Sequence, residues 1–131
     1  MNTVFVYGTL KRGGWNHGLL RSAEYLGTGH TVDSMAMGGT ESVPFVTTSP
    51  ESYPIFGELY RVDEPTLQSL DRLEGHPEFY RRIPVSVRGV DPEQLTMAWI
   101  YVVEKIRNSA PFPHGDWPQA AFDSTRTRYA G

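Results

Sequence analysis

The clearest secondary-structure signal in this chain is a helix that starts at Asp63 and stops at Gly75. Asp63 is a favourable N-cap, Pro65 is tolerated in the first helical turn, and Gly75 is a common residue just past a helix end. Pro77 then prevents the helix from continuing. Leucines repeat at helical spacing between these ends, and they predict one apolar face. These leucines are Leu67, Leu70 and Leu73.

The segments on both sides of this helix carry β-type patterns. The predicted strands cover residues 3–7, 55–62, 83–87 and 97–103, with a bent strand or bulged ribbon over 25–37 and a short apolar piece at 43–46. Residues 88–94 are expected to link two strands as a hairpin, and Pro84 favours an edge position or a bulge. Asn16 is a candidate cap for a short helix through Leu20. The pattern predicts an α+β fold of five or six short strands and about two helices, with the sheet curled into a small barrel.

Length and charge limit the classes of function. The 131 residues fit one ordinary domain, so we expect a single domain over residues 1–131. A net charge of −3 provides no basic surface for nucleic acid. Residues 1–8 contain no basic region and only a short apolar run, so neither a signal peptide nor a membrane segment is expected. We therefore expect a cytoplasmic protein without nucleic-acid or membrane partners.

Cysteine and histidine usage argues against metal and thiol chemistry. The chain has no cysteine, which excludes disulfides, a cysteine nucleophile and cysteine-based metal sites. The four histidines, at positions 17, 30, 76 and 114, show no close metal-ligand spacing. The sequence therefore predicts no metal site.

The turn after the first predicted strand, Tyr7-Gly8-Thr9-Leu10, is the first candidate binding motif. A strand that runs into a glycine-containing turn can direct several backbone N–H groups into one concavity, which would bind a carboxylate or phosphate. A phosphate-binding P-loop is excluded, because Gly14 and Trp15 stand where that motif requires Lys and Ser or Thr. A tight turn without a ligand is the alternative interpretation.

Glu74 is the second candidate, because its position breaks two local rules. It lies four residues after Leu70 and seven after Leu67, which places its carboxylate on the apolar face of the helix. It also stands in the last helical turn, at the negative end of the helix dipole. Both effects are expected to raise its pKa, as suits a group that accepts and returns a proton near neutral pH. The alternative is an ordinary ion pair with one of three nearby arginines, Arg72, Arg81 or Arg82.

The sequence allows two interpretations for each of two residues near Glu74. Tyr80 begins the segment after the helix and could reach the mouth of a pocket, although a buried edge tyrosine is the commoner case. His76 could tune Glu74 or simply be solvated. Asp63, Glu64 and Asp71 have structural explanations, as a cap, a helix start and a residue on another helix face.

Taken together, these motifs resemble a known family. The run 4–13, VFVYGTLKRG, is followed by Asn16-His17 and Leu19-Leu20, and then by Gly57-Glu58-Leu59-Tyr60, Leu70-Asp71, Glu74 and Tyr80-Arg81. In order and spacing this series is similar to the γ-glutamylcyclotransferase-like (AIG2-like) family, and nearest to its γ-glutamylamine cyclotransferases. The resemblance covers about the first two-thirds of the chain, and the tail from Arg107 is not diagnostic.

The resemblance implies a small mixed β-barrel flanked by short helices, with a cavity at the end of the first strand. It implies that Glu74 is the catalytic acid/base and that the glutamyl group of a small-molecule substrate binds at Tyr7, Gly8, Thr9 and Leu10, with Tyr80 nearby. The implied reaction releases 5-oxoproline and a free amine from a γ-glutamyl amine or peptide, without metal or cofactor. Residues 38–44 are expected to line the pocket.

Two other classes of function are possible. The first is a small-molecule binding protein of the same fold that performs no chemistry. The second is an interaction protein whose aromatic tail forms the contact surface. The tail residues in question are Phe112, Trp117, Phe122 and Tyr129.

Overall fold

A computed structural model of the protein describes residues 1–40, 42–90, 93–105 and 112–117. In these ranges the chain forms seven strands, one α-helix and one short 3₁₀ helix, His17–Leu20. The strands are β1 Asn2–Val6, β2 Glu24–Thr31, β3 Ala36–Gly39, β4 Pro44–Thr47, β5 Phe56–Val62, β6 Arg81–Val90 and β7 Glu93–Val102, and the helix is α1 Glu64–Glu74.

Five of the strands close into a barrel in the order β1-β5-β2-β6-β7. The pairing is mixed, because β1 is antiparallel to β5 but parallel to β7. The other two strands, β3 and β4, form a separate antiparallel ribbon. The predicted α+β fold with a small mixed barrel is confirmed.

The hairpin of β6 and β7 is longer than the sequence predicts. Residues 88–94 were expected to be a link, yet β6 runs to Val90 and β7 begins at Glu93, with Arg88 opposite Leu95. The polar residues of this stretch join the ladder because the strand hydrogen bonds come from the backbone and require no apolar side chain. Pro84 has an edge-like position, since β6 pairs with β2 only near residues 87–89.

The ribbon predicted over 25–37 is two strands rather than one. The expected bulge is present in β2, where the register against β5 shifts between Tyr25 and Gly27. The strand ends at Thr31, and β3 begins only at Ala36. The bent-strand prediction is therefore confirmed for β2 and wrong for the remainder of the segment.

Helix α1 has the predicted ends and most of the predicted apolar face. The Asp63 side chain accepts a hydrogen bond from the Thr66 N–H at 2.9 Å, and Gly75 is left-handed with φ of 68°. Leu67 and Leu70 are buried, whereas Leu73 is 41% exposed. The prediction for Leu73 is wrong because 3.6 residues per turn place the next core-facing position at residue 74, one residue further along the chain.

Both aromatic side chains of the described tail pack on the core. Trp117 is 1% exposed and belongs to a buried cluster that includes barrel side chains such as Phe5, Val87 and Ile100, and Phe112 packs against the same cluster. The Phe56 N–H donates to the Gly115 carbonyl at 2.9 Å, which ties this segment to β5. The interaction-surface hypothesis is therefore wrong for Phe112 and Trp117, while Phe122 and Tyr129 lie outside the described residues. No helix in the described ranges is long and apolar enough to span a membrane.

Candidate active site

A small pocket opens where β1 ends, and its wall includes every residue that the sequence assigned to catalysis or substrate binding. Its volume is about 40 Å³. The predicted residues in its wall are Tyr7, Gly8, Thr9, Leu10, Glu74 and Tyr80, and they are joined by Phe5, Val6, Val43, Pro44 and Tyr101. The strand end, the helix end and the β3–β4 connection thus meet around one cavity, although the roles of the residues stay predictions.

The turn after β1 is held by hydrogen bonds from the residues that follow it. The Lys11 N–H donates to the Gly8 carbonyl at 3.0 Å. Asn16 binds Thr9 twice, through its backbone N–H to the carbonyl at 3.1 Å and through its side-chain amide to Oγ1 at 2.9 Å. Asn16 therefore supports the turn and does not cap the 3₁₀ helix with its side chain, contrary to the prediction.

The backbone donors of the turn are available to a ligand. Among the described residues, no acceptor forms a hydrogen bond with the N–H groups of Gly8, Thr9 or Leu10. Adjacent unpaired N–H groups at a turn attract anionic groups, because each carries a partial positive charge. The turn can therefore accept a carboxylate or a developing oxyanion.

Pro44 forms a wall of the pocket by packing against Gly8. A Cβ on Gly8 would lie 2.6 Å from Cγ of Pro44 and 2.9 Å from its Cδ, so only glycine permits this approach. The Tyr80 hydroxyl donates to the Pro44 carbonyl at 3.0 Å and holds the segment in place. Of the residues 38–44 expected at the pocket, Val43 and Pro44 line it, Gly38, Gly39, Thr40 and Ser42 do not, and Glu41 lies outside the described residues.

Glu74 is the last residue of α1, and its carboxylate has no partner among the residues that the structure describes. In the described ranges, no group forms a hydrogen bond or ion pair with it. Burial raises its pKa from 4.5 to about 7. The sequence predicted this direction from burial and the helix dipole, and burial is the cause that the structure supports. A carboxyl group with this pKa exchanges a proton readily at neutral pH.

The arginines that were the alternative partners of Glu74 are engaged elsewhere or point into solvent. Arg82 forms a two-point ion pair with Asp71, with nitrogen–oxygen distances of 2.8 and 3.2 Å. The Arg72 guanidinium donates to the Ser69 hydroxyl, and Arg81 is exposed. The ion-pair interpretation of Glu74 is therefore wrong for this structure.

Three tyrosines surround the carboxylate, and all three are neutral. Burial is the main cause that raises the pKa of Tyr7, Tyr80 and Tyr101, and the charge of Glu74 raises it further. The Tyr7 hydroxyl donates to the Tyr101 carbonyl at 2.7 Å. These hydroxyls therefore act as positioned hydrogen-bonding groups and cannot serve as bases near neutral pH.

Tyr101 lines the pocket and Asp71 binds its hydroxyl, and sequence reasoning assigned neither residue to the site. The Tyr101 hydroxyl donates to Asp71 Oδ1 at 2.7 Å, beside the pair with Arg82. Burial opposes ionisation of Asp71, but the hydrogen bonds from Arg82 and Tyr101 outweigh it and lower its pKa. The Leu70-Asp71 pair in the family signature was the available signal, although helix geometry alone placed Asp71 on another face.

His76 has a structural contact and no direct contact with Glu74. Its Nδ1 accepts a hydrogen bond from the Arg82 backbone N–H at 3.2 Å, at the start of β6. The hypothesis that His76 tunes Glu74 is not supported, because burial alone shifts the pKa of Glu74. No group of three or more potential metal ligands occurs within the described part of the chain.

Comparison with known proteins agrees with this geometry. The family model described as gamma-glutamyl cyclotransferase, AIG2-like, matches residues 4–119, which include the whole pocket. The chain belongs to this family. A family member from Methanocaldococcus jannaschii, provisionally named a gamma-glutamylcyclotransferase, is 42% identical over 102 residues, covering 77% of this chain and 83% of the relative.

Two mammalian members of the family are also similar. The gamma-glutamylaminecyclotransferase of Rattus norvegicus is 38% identical over 101 residues, covering 71% of this chain and 68% of the rat protein. The crystal structure of an AIG2-like protein from Mus musculus superposes with a TM-score of 0.74 at 32% identity, covering 82% of this chain and 80% of the mouse chain. The barrel and the helix that carries Glu74 are therefore a family fold.

Proposed function

We propose that this protein is a γ-glutamyl cyclotransferase that releases 5-oxoproline and a free amine from a γ-glutamyl amine or peptide. The observation that carries the proposal is the Glu74 carboxyl, which lines the pocket, has no partner within the described part of the chain and has a pKa raised to about 7 by burial. A partly buried carboxylate costs stability without a partner, and a pKa of about 7 suits it to accept and return a proton during a reaction. Membership of the gamma-glutamyl cyclotransferase family supports the same reaction.

The proposed reaction is an intramolecular aminolysis with Glu74 as the proton carrier. The Glu74 carboxylate takes a proton from the substrate α-ammonium, and the freed amine attacks the γ-carbonyl carbon of the same molecule. The C–N bond to the leaving amine then breaks as Glu74 returns this proton to that nitrogen. The ring nitrogen gives up its second proton, again through Glu74, to the released amine, which yields 5-oxoproline and the ammonium form of the amine. One residue suffices because each proton that it accepts from the attacking nitrogen is donated to the leaving nitrogen.

The turn after β1 supplies the second part of the mechanism. The unpaired N–H groups of Gly8, Thr9 and Leu10 are suited to bind the α-carboxylate or the oxyanion that forms on the γ-carbonyl. Because both reacting atoms belong to one substrate, the enzyme needs only to hold its folded conformer, and proximity then contributes strongly to the rate.

Within this reaction class we propose γ-glutamyl amines as the preferred substrates. The support is the similarity to the rat protein named gamma-glutamylaminecyclotransferase. The narrow pocket agrees with this, since about 40 Å³ is too small to enclose both the glutamyl end and the amine part. We also propose that the protein acts as a single domain in the cytoplasm, without a metal or cofactor.

The test measures 5-oxoproline release from a panel of γ-glutamyl amines, γ-glutamyl peptides and glutathione. The variants are Glu74→Gln, which keeps the side-chain shape but cannot carry the proton, and the control Glu78→Gln, which changes an exposed glutamate in the next loop. We expect Glu74→Gln to lose about 100-fold or more in kcat, as is typical for a lost acid–base group. We expect Glu78→Gln to retain the natural rate.

Two outcomes would contradict the proposal. Release of 5-oxoproline by Glu74→Gln at the natural rate would reject the acid–base role of Glu74. Binding of γ-glutamyl compounds without any release of 5-oxoproline would favour the non-catalytic binding protein, which keeps the pocket but performs no chemistry.

A further inference from the structure

An exposed aromatic ring continues the pocket wall towards solvent. Phe79 is 61% exposed, and its ring packs edge-on against the pocket-lining Tyr80, with centroids 5.0 Å apart. It also packs edge-on against Phe45, at 6.1 Å, and Phe45 directly follows the pocket-lining Pro44. Phe45 and Tyr80 stack on each other at 6.0 Å. We call Phe45 and Phe79 the aromatic rim.

The aromatic rim is held in a fixed relation to Glu74. The Phe79 N–H donates to the Gly75 carbonyl at 2.9 Å, and the Tyr80 N–H donates to the Glu74 carbonyl at 3.1 Å. The hydrogen bond from the Tyr80 hydroxyl to the Pro44 carbonyl joins the two chain segments of the rim. Phe79 is therefore an exposed side chain on an ordered backbone, which is the arrangement expected of a contact residue.

The size of the pocket directs part of the substrate onto this rim. A volume of about 40 Å³ holds only a few water molecules, since one water needs roughly 10–15 Å³ by the same measure. The glutamyl end and the leaving amine cannot both lie inside it. Glu74 must reach the nitrogen of the leaving amine, so the substituent on that nitrogen leaves the pocket beside Glu74, where the loop to Phe79 begins.

We propose that Phe79, with Phe45, forms a subsite for the hydrocarbon part of the leaving amine and thereby determines substrate choice. This inference rests on the proposed function. An amine with an aliphatic chain covers the Phe79 ring and removes apolar surface of both partners from water. An amine without a chain makes no such contact. The substrate class is therefore γ-glutamyl derivatives of alkyl amines, preferred over those of methylamine.

The experiment compares γ-glutamylbutylamine with γ-glutamylmethylamine, using 5-oxoproline release to obtain kcat/KM for each. The variants are Phe79→Ala, Phe79→Leu and Phe56→Ala, the last a control that removes a partly exposed aromatic ring outside the pocket wall. We expect the butyl-to-methyl ratio of kcat/KM to fall roughly fivefold in Phe79→Ala, as for three methylene groups that lose partial apolar burial. Phe79→Leu should keep most of the ratio, and Phe56→Ala all of it.

The possible outcomes distinguish a failure of the proposed subsite from a failure of the proposed function. If 5-oxoproline is released but Phe79→Ala keeps the natural butyl-to-methyl ratio, the subsite is rejected and the proposed function stands. If the ratio falls equally in Phe56→Ala, the effect is not specific to the rim and the subsite is again rejected. If the natural chain releases no 5-oxoproline from any compound of the panel, the proposed function fails and the subsite with it.

Discussion

The raised pKa of Glu74 follows from its position along helix α1. Its side chain takes the core-facing position that follows Leu67 and Leu70, so it is partly withdrawn from water although it is ionisable. The helix ends immediately after it, at Gly75, which turns the chain away and leaves the carboxyl at the pocket. The raised pKa of Glu74 therefore follows from its position on an otherwise ordinary helix.

The raised pKa of Glu74 predicts a pH-dependent stability. A folded-state pKa of about 7 against 4.5 means that the folded chain binds more protons between these values, so its stability falls as pH rises through this window. The loss amounts to about 3 kcal/mol at most and is complete above about pH 8. We expect Glu74→Gln to gain free energy of unfolding relative to the natural chain from pH 5 to pH 8, as measured by urea denaturation.

The matched control for this pH prediction is again Glu78→Gln, whose exposed side chain should leave the pH dependence unchanged. The ion pair of Asp71 and Arg82 is present in all three proteins, so its own titration cancels in the comparison. Parallel stability curves for the natural chain and Glu74→Gln would contradict a buried, partnerless carboxyl.

Gly8 supports a second prediction at this scale. A methyl group in Gly8→Ala would overlap the Pro44 ring, whose position is fixed by the hydrogen bond from Tyr80. We expect the pocket wall to move and kcat/KM for 5-oxoproline release to fall by about tenfold or more, as for a misplacement of about 1 Å at a catalytic site. The control is Gly18→Ala, where nothing lies within 4 Å of the added Cβ. An unaffected rate in Gly8→Ala would show that the Pro44 wall is not needed for activity.

At the scale of elements, the site depends on how α1 is attached to the barrel. Asp71 on the helix binds Arg82 on β6 and Tyr101 on β7, and the Arg82 guanidinium lies over the Trp99 ring at 4.5 Å. Tyr101 lines the pocket, so the same contacts that fix the helix also position part of the wall. The Asp71 cluster, which consists of Asp71, Arg82, Tyr101 and Trp99, thus connects α1 with β6 and β7.

We expect Asp71→Asn to weaken the contacts of α1 with Arg82 and Tyr101. The side chains of Asp71 and Arg82 are each only 20% exposed, and the change removes the charge that Arg82 and the Tyr101 hydroxyl both contact. The free energy of unfolding should fall by about 2 kcal/mol, measured by chemical denaturation. The control is Glu24→Gln, which breaks the solvent-exposed pair with Arg61 and should cost less than about 1 kcal/mol. Equal losses in the two variants would place the Asp71 pair among ordinary surface pairs.

At the scale of the whole molecule, a residue from the C-terminal part of the described chain packs into the core. Trp117 belongs to the buried cluster that includes barrel side chains, its ring nitrogen donates to the Thr40 carbonyl at 3.3 Å, and its backbone carbonyl accepts from Lys11 Nζ at 3.1 Å. Burial lowers the pKa of Lys11, which directly follows the turn Tyr7–Leu10 in the chain. The tail therefore stabilises the end of the barrel that carries the site.

Trp117→Ala is expected to destabilise the whole fold. Removal of a fully buried tryptophan leaves a large cavity and typically costs about 3–5 kcal/mol, a large part of the stability of a domain of this size. Thermal or urea unfolding measures the loss, with Leu95→Ala as the control, since Leu95 is 60% exposed on β7 and should change stability by less than about 0.5 kcal/mol. A near-natural stability of Trp117→Ala would restore the possibility that the tail is a separate contact surface.

The sequence by itself determined the features that depend on neighbouring residues. Helix α1 and its two ends, the bulge in β2 and the edge-like position of Pro84 follow from local backbone preferences, which act within a few residues. The motif at Tyr7–Leu10 was found because a strand runs into a glycine-containing turn, and Glu74 because its position departs from two local rules. The structure brings both motifs to one pocket.

Tertiary structure decided the features that join distant parts of the chain. The bond from Tyr7 to Tyr101 spans 94 residues, and no periodicity in the sequence predicts such a pair. The packing of Pro44 on Gly8, the Asp71 cluster and the burial of Trp117 depend in the same way on barrel closure. Closure sets which side chains meet, because strand order and register place residues in contact without regard to their separation along the chain.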